Sequence, residues 1–291
     1  MTYIRDNFVG KNILYTTSPE DIIESISNIC GCEEAVIKSY LNHSRPFKNI
    51  FVGDINLNQF FKAIGVTFTG NNELFERIKI DSCIVSHLTT RISPPDESDI
   101  YCLIKVLSKD TDISKFLASK GITFKETGPG LVVYYNNKIV DWNEFIEPAA
   151  YRIKKRIRKR GEYIDNCING FLFNHLIWED SNVEHIKVCP EIVSDICLTL
   201  NRYDILQEWS NISTSYTLGF LADVKDIIFD EHTQCKTLKS KIYLIYKYVI
   251  YYLVQVYHGE WNPRFNNPII RLRDNHFIGR ESIVGFYKID E

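Results

Sequence analysis

The segment Ile84–Arg91, IVSHLTTR, constrains the fold more than any other part of the chain. It opens on branched aliphatic residues, continues into a His-Leu-Thr-Thr cluster and ends just before the turn-forming sequence Pro94-Pro95-Asp96. Branched aliphatic and threonine side chains favour a strand, and the prolines mark its end. We therefore predict a central strand whose carboxyl end presents polar side chains.

Helix signals dominate the residues before this strand. Ser18-Pro19-Glu20-Asp21 combines an N-cap, proline at the first helical position and acidic residues in the first turn, and predicts a helix to about Asn28. Gly31 ends it, and Glu33–Leu41 has the apolar spacing of a second helix. The pair has a helix-turn-helix outline, but acidic residues at the start of its second helix disfavour DNA binding, so we expect an ordinary packed pair.

Helices and strands are mixed along the rest of the chain without a regular βαβ alternation. Further helices are predicted at Leu57–Ala63, Ser98–Leu107, Asp112–Ser119, Cys189–Leu200 and Leu238–Tyr257. Further strands are predicted at Phe47–Phe51, Ile64–Thr69, Ile122–Phe124, Leu131–Tyr135, Lys138–Trp142, Tyr216–Leu221, Ile227–Phe229, Ile269–Leu272 and Ile283–Ile289. Asn136-Asn137 is a tight-turn pair and predicts a hairpin of the two strands beside it. This mixture predicts an α+β fold with a mixed or antiparallel sheet and flanking helices.

The same pattern indicates how the chain is divided. We expect a small helix-rich N-terminal unit over residues 1–78 and an α+β main domain over residues 79–291, or a single domain that includes both. At 45% hydrophobic residues, the 291-residue chain can bury a substantial core either way.

Charge and cysteine usage bound the class of protein. The 34 basic and 37 acidic residues are balanced, so only a local patch could attract nucleic acid. The N-terminus has no apolar core of an export signal, which predicts a cytoplasmic protein, and the eight cysteines are then expected to be thiols. Ile242–Tyr257 is too short and too polar for a membrane span, so we interpret it as a core helix and expect no membrane partner.

One local patch is strongly basic. The run RIKKRIRKR, residues 152–160, holds seven cationic side chains around two isoleucines spaced four apart, which predicts an exposed helix with a narrow apolar stripe. A solvated helix face is the plain interpretation, and binding of an acidic protein or of nucleic acid is the alternative. The residues that would bind are Arg152, Lys154, Lys155, Arg156, Arg158, Lys159 and Arg160.

Three separated elements stand in an order that points to chemistry. His87-Leu88-Thr89 comes first, Ser213-Thr214-Ser215 follows before a predicted strand, and Glu281 stands directly before SIVGFYKI. Together they resemble the signature of His-type ADP-ribosyltransferases, although the resemblance extends to these signature residues only. Other catalytic signatures, including GxGxxG, GxxxxGK[ST], GxSxG and HExxH, are absent from the sequence, and the loose His175, His185, Cys189, Cys197 series has no compact zinc spacing, so no metal is expected.

This resemblance implies an enzyme that uses NAD as its substrate and transfers ADP-ribose to a macromolecular acceptor, as toxins and proteins of phage–host conflict do. It assigns NAD binding to His87, Thr89 and the triplet Ser213-Thr214-Ser215, and the catalytic acid to Glu281. A carboxylate can stabilise the oxocarbenium-like centre that forms when the nicotinamide–ribose bond breaks. The alternative is a non-catalytic protein, such as a host- or phage-encoded inhibitor or assembly component, that binds a protein partner through aromatic and basic surfaces.

Overall fold

A computed structural model describes residues 12–48, 50–128, 130–157 and 166–289. The helices in these ranges are α1 Pro19–Cys30, α2 Glu34–His43, α3 Leu57–Ala63, α4 Asn71–Arg77, α5 Leu103–Ser108, α6 Asp112–Ser119, α7 Pro148–Ile157, α8 Glu191–Thr199, α9 Tyr203–Ile212, α10 Leu238–Tyr257 and α11 Pro263–Asn266. The strands are β1 Ile13–Leu14, β2 Ser82–Arg91, β3 Ile100–Tyr101, β4 Ile122–Thr127, β5 Gly130–Tyr135, β6 Lys138–Ile139, β7 Asn169–Phe171, β8 Thr214–Asp223, β9 Ile228–Phe229, β10 Ile269–Arg271, β11 Phe277–Ile278 and β12 Ile283–Lys288.

A seven-stranded sheet forms the centre of the molecule. Its strands lie in the order β12-β8-β2-β7-β10-β9, and β1 pairs in parallel with the beginning of β2. Strands β2 and β8 are antiparallel and pair over ten residues, from Ser82 opposite Asp223 to Arg91 opposite Thr214. The remaining pairings in this sheet are antiparallel as well, so the predicted α+β fold with a mixed or antiparallel sheet and flanking helices is confirmed.

One face of the sheet packs on a large apolar core, the main core, built around α10. Tyr246 and Tyr252 of α10 are fully buried, and Ile22 and Ile26 of α1 and Phe61 of α3 belong to the same buried cluster. Helices from the first 78 residues therefore share their core with a helix near the other end of the chain. No helix in the described part of the chain has the length and apolarity that crossing a membrane requires.

A second core lies under α5–α9 and the small sheet β4-β5-β6. Its centre is Trp209 of α9, whose ring meets the Phe116 ring edge-on at 5.1 Å between centroids. The turn between β5 and β6 is the predicted Asn136-Asn137 pair, and both residues have positive φ, 51° and 63°, as a two-residue hairpin turn requires. The predicted hairpin is confirmed.

The predicted start of α1 is confirmed in detail. The Ser18 side chain accepts a hydrogen bond from the Asp21 N–H at 3.0 Å, which satisfies one of the helix's free donors. The helix ends at Gly31, whose φ of 64° is left-handed and therefore favours glycine.

Two predicted strands and one predicted helix start are wrong. No strand forms in the described residues of 47–51 or in 64–69. Phe47, Ile64, Val66 and Phe68 pack in or against the main core instead, whereas Phe51 is 81% exposed. Phe47 stacks on Tyr251 of α10 at 5.7 Å, and its N–H donates to Gln255 Oε1. The helix predicted from Ser98 begins later, since β3 first pairs with β11 and α5 follows.

Candidate functional site

A pocket of about 580 Å³ opens at the carboxyl end of β2. Its walls come from five parts of the fold: the end of β2, the following segment 93–101, the α5–α6 region, Trp209 of α9, and Arg280 in the turn before β12. Ligand sites in proteins typically occupy about 300–1,000 Å³, so this pocket is large enough for a nucleotide-sized molecule. It is the candidate functional site.

Strand β2 supplies the polar wall of the pocket. His87, Thr89 and Arg91 all line it, and alternate residues of a strand project from the same face. The long antiparallel pairing with β8 fixes their positions, with His87 opposite Leu218 and Thr89 opposite Tyr216. The sequence predicted His87 and Thr89 as site residues, and the structure brings both into one pocket.

His87 is held in one tautomer by its neighbour. Its Nδ1 lies 2.6 Å from the Asn169 carbonyl oxygen, which can only accept, so Nδ1 carries the proton. Burial of the ring lowers the pKa of His87 to about 4, and the nearby Arg91 charge acts in the same direction. The imidazole is therefore neutral at pH 7, and Nε2 is its free acceptor.

Charged side chains of both signs surround the rest of the pocket. Two arginines line it, Arg91 and Arg280, together with the acidic residues Glu97, Asp99, Asp110 and Asp112. Three of these four carboxylates already have partners in the fold. Asp99 accepts from Tyr101 Oη at 2.8 Å, Asp112 accepts from the Ser93 N–H at 3.0 Å, and Asp110 pairs with Lys115 at 3.2 Å.

Glu281 lies beside the pocket and does not line it. Its neighbour Arg280 does line the pocket and is tied to it, because the Arg280 N–H donates to Asp99 Oδ1 at 3.1 Å. The Glu281 side chain is exposed, and its carboxylate lies so close to Gly279 that a Cβ there would overlap it. The carboxylate is thus folded back on its own turn, one residue from the pocket wall.

The triplet Ser213-Thr214-Ser215 does not line the pocket. Ser213 caps the end of α9 through its N–H, and Thr214 and Ser215 begin β8 next to the end of β2. The sequence predicted the triplet at the entry to this strand, which starts two residues earlier than the predicted Tyr216. The Ser215 hydroxyl donates to the Lys187 carbonyl at 2.7 Å, which fixes the turn Glu184–Lys187 against the sheet. In this geometry the triplet supports the strands that carry the site.

The basic run is only partly an open charge patch. The Arg152 guanidinium donates to both carboxylate oxygens of Asp195 in α8, and Arg156 pairs with Glu191 at 2.5 Å. Ile153 and Ile157 are buried and form the predicted apolar stripe. The described residues of the run end at Ile157 in α7, so Arg158, Lys159 and Arg160 lie outside them.

Several pocket residues were missed by the sequence reasoning. Arg91 had a usable signal, because it follows His87 and Thr89 at the same two-residue spacing of a strand. Asp99, Trp209 and Arg280 had none, since each reaches the pocket only through tertiary contacts. Among the described residues no group of three or more histidine, cysteine or acidic side chains could hold a metal ion, and none of the eight cysteines is in a disulfide.

Comparisons with protein-family models, with curated proteins and with solved structures found no match to this chain.

Proposed function

We propose that the pocket at the end of β2 binds NAD and that the protein transfers ADP-ribose from it to a macromolecular acceptor. One observation carries the proposal: His87 and Thr89 share a pocket of about 580 Å³ with Arg280, and Glu281 follows directly after Arg280. Residues nearly 200 positions apart thus meet at one cavity. Of the residues that the resemblance to His-type ADP-ribosyltransferases assigns, His87 and Thr89 line this cavity and Glu281 stands one residue from its wall.

The state of His87 supports this assignment. A neutral ring whose Nδ1 is engaged offers Nε2 as an acceptor, and a ribose hydroxyl is a matching donor. The Thr89 hydroxyl can donate or accept beside it. A protonated histidine would have no acceptor nitrogen. Because burial keeps the ring neutral, Nε2 stays able to accept a hydrogen bond from a sugar hydroxyl.

Glu281 is the carboxylate proposed to stabilise the positive charge that develops at the ribose when the bond to nicotinamide breaks. It is exposed and lies over Gly279, so it must turn toward the pocket when substrate binds. Exposed side chains change rotamer within nanoseconds, so this step costs little time. The hydrogen bond from the Arg280 N–H to Asp99 keeps the turn beside the pocket meanwhile.

The test is incubation of the purified protein with labelled NAD, alone and with cell lysate, followed by detection of released nicotinamide and of labelled acceptor. The wild type should release nicotinamide, and Glu281→Gln should abolish release while its melting temperature stays within about 1 °C, because an exposed carboxylate contributes little to folding. Glu76→Gln, an equally exposed change in α4 that does not line the pocket, is the matched control.

NAD should also raise the melting temperature of both the wild type and Glu281→Gln, since binding does not require the catalytic acid. Wild-type protein that neither binds NAD nor releases nicotinamide would overturn the proposal. Equal turnover by the wild type and Glu281→Gln would remove Glu281 from it.

A non-catalytic partner-binding role is the second candidate. Two large apolar side chains are mostly exposed at α7: Ile146 at 97%, two residues before the helix, and Tyr151 at 66% within it. Exposed apolar groups beside a basic helix suit an acidic protein partner. Replacing Ile146 and Tyr151 by serine should then abolish capture of that partner and leave the melting temperature of the protein unchanged, because both side chains are mostly exposed.

A further inference from the structure

Arg91 is a half-buried cation whose hydrogen-bonding capacity is mostly unused. Arg91 lines the pocket, and its Nη1 donates to Ser98 Oγ at 3.0 Å. No carboxylate of the described residues lies within 4 Å of it. A guanidinium has five N–H donors in a planar fork and cannot give up its proton in a protein.

A half-buried guanidinium destabilises the fold unless an anion or an acceptor in the site binds its free N–H groups. Taking a cation out of water without an anionic partner is unfavourable, and burial accordingly lowers the pKa of Arg91, although the nearby Asp112 opposes this. Asp112 is engaged with the Ser93 N–H, so it affects Arg91 through its field and not through a direct contact. An anion that enters the pocket would supply the missing partner.

We propose that Arg91 binds the phosphate groups of the nucleotide in this pocket. The inference rests on the proposed function, because it assigns the diphosphate of NAD to a residue four positions after His87 on the same strand face. Alternate strand residues are about 6.6 Å apart, so His87 and Arg91 lie about 13 Å apart along β2. The long Arg91 side chain shortens this distance, and its charge is near enough to His87 to lower the pKa of that ring, so a ribose at His87 and a phosphate at Arg91 can belong to one nucleotide.

The acidic lining limits which anion fits. Asp99, Asp110 and Asp112 each have a partner, yet their charges still repel an anion, and Glu97 is exposed at the pocket wall. The pocket lining holds two arginines and four carboxylates, so each further negative charge on a ligand adds repulsion from the carboxylates. A diphosphate bound at Arg91 is therefore favoured over a more highly charged triphosphate. ADP should therefore bind at least as tightly as ATP.

The test is calorimetric titration of the full chain with ADP, ATP and nicotinamide riboside, which carries no phosphate. Arg91→Gln should weaken ADP binding about 10-fold or more, the usual loss for charge-assisted hydrogen bonds, and change nicotinamide riboside binding less than about threefold. Arg45→Gln, an exposed arginine outside the pocket lining, is the matched control and should bind ADP as the wild type does.

Arg91→Lys covers the case in which the glutamine variant fails to fold, because it keeps the charge, loses the planar fork and should give an intermediate ADP affinity. Unchanged ADP binding in Arg91→Gln, equal weakening for ADP and nicotinamide riboside, or no ADP binding by the wild type would overturn the inference. ATP binding about 10-fold tighter than ADP would overturn the diphosphate assignment.

The outcomes separate the two proposals. Arg91-dependent ADP binding without nicotinamide release from NAD supports the phosphate site and rejects the transferase. Nicotinamide release that depends on Glu281, together with ADP binding that ignores Arg91, retains the transferase and rejects the phosphate site.

Discussion

Replacing Arg152 by methionine should destabilise the protein by about 2–3 kcal/mol. The Asp195 side chain is only 1% exposed, and Arg152, which is 43% exposed, donates to both of its oxygens. Leaving a fully buried charge without its partner costs about 3–5 kcal/mol. Because Arg152 is partly exposed, water screens this ion pair, and we expect a loss of about 2–3 kcal/mol, at or just below the lower end of that range.

The free energy of unfolding in urea measures this cost. Lys154→Met, which removes a charge from the same helix at a half-buried position, is the control and should change stability by less than about 0.5 kcal/mol. Adding Asp195→Leu to Arg152→Met should recover most of the loss, because a buried ion pair can be replaced by apolar groups at little cost. A loss below about 1 kcal/mol for Arg152→Met, or an equal loss for Lys154→Met, would refute the reasoning.

Three single positions give further tests, each by denaturation. The free energy of unfolding should fall as the pH drops from 6.5 to 4, because folded His87, with its pKa of about 4, binds fewer protons than the same residue in the unfolded chain. His87→Asn should make this fall smaller, and equal falls in the wild type and the variant would contradict the prediction. Gly170→Ala should cost about 1–3 kcal/mol, since its Cβ would lie 2.5 Å from Val85 Cγ1 and 2.7 Å from the Ser86 carbonyl; wild-type stability would show that the strands can separate. Leu176→Gly should raise the free energy of unfolding by about 0.5 kcal/mol, because glycine adopts the φ of 56° without strain and the Leu176 side chain is 40% exposed. A lower free energy of unfolding would show that the packing of the leucine side chain outweighs this strain.

Local chemistry explains which elements could be predicted. The Ser18 N-cap, the Asn136-Asn137 turn and the long apolar helix α10 each depend on neighbouring residues, and all three formed as expected. The strand predicted at 47–51 failed because Phe47 found a partner more than 200 residues away in Tyr251. Sequence-local propensity carries no information about such a partner.

The candidate site divides in the same way. His87 and Thr89 were identified from a motif, and Arg91 belongs to the same alternating pattern. Asp99 could not be identified, because its role depends on accepting from the Arg280 N–H, 181 positions further along the chain. The basic run likewise looked unpaired, since its acidic partners Glu191 and Asp195 lie on another helix.

The pocket has walls from both hydrophobic cores. Ile100 belongs to the main core and Trp209 to the second, and both line the cavity. A molecule bound in this pocket therefore contacts residues of the main core and of the second core at once. The binding free energy opposes any separation of the two cores, so both should unfold in a single transition when the ligand is saturating. The ligand should also slow hydrogen exchange of the β2 amides more than that of other amides.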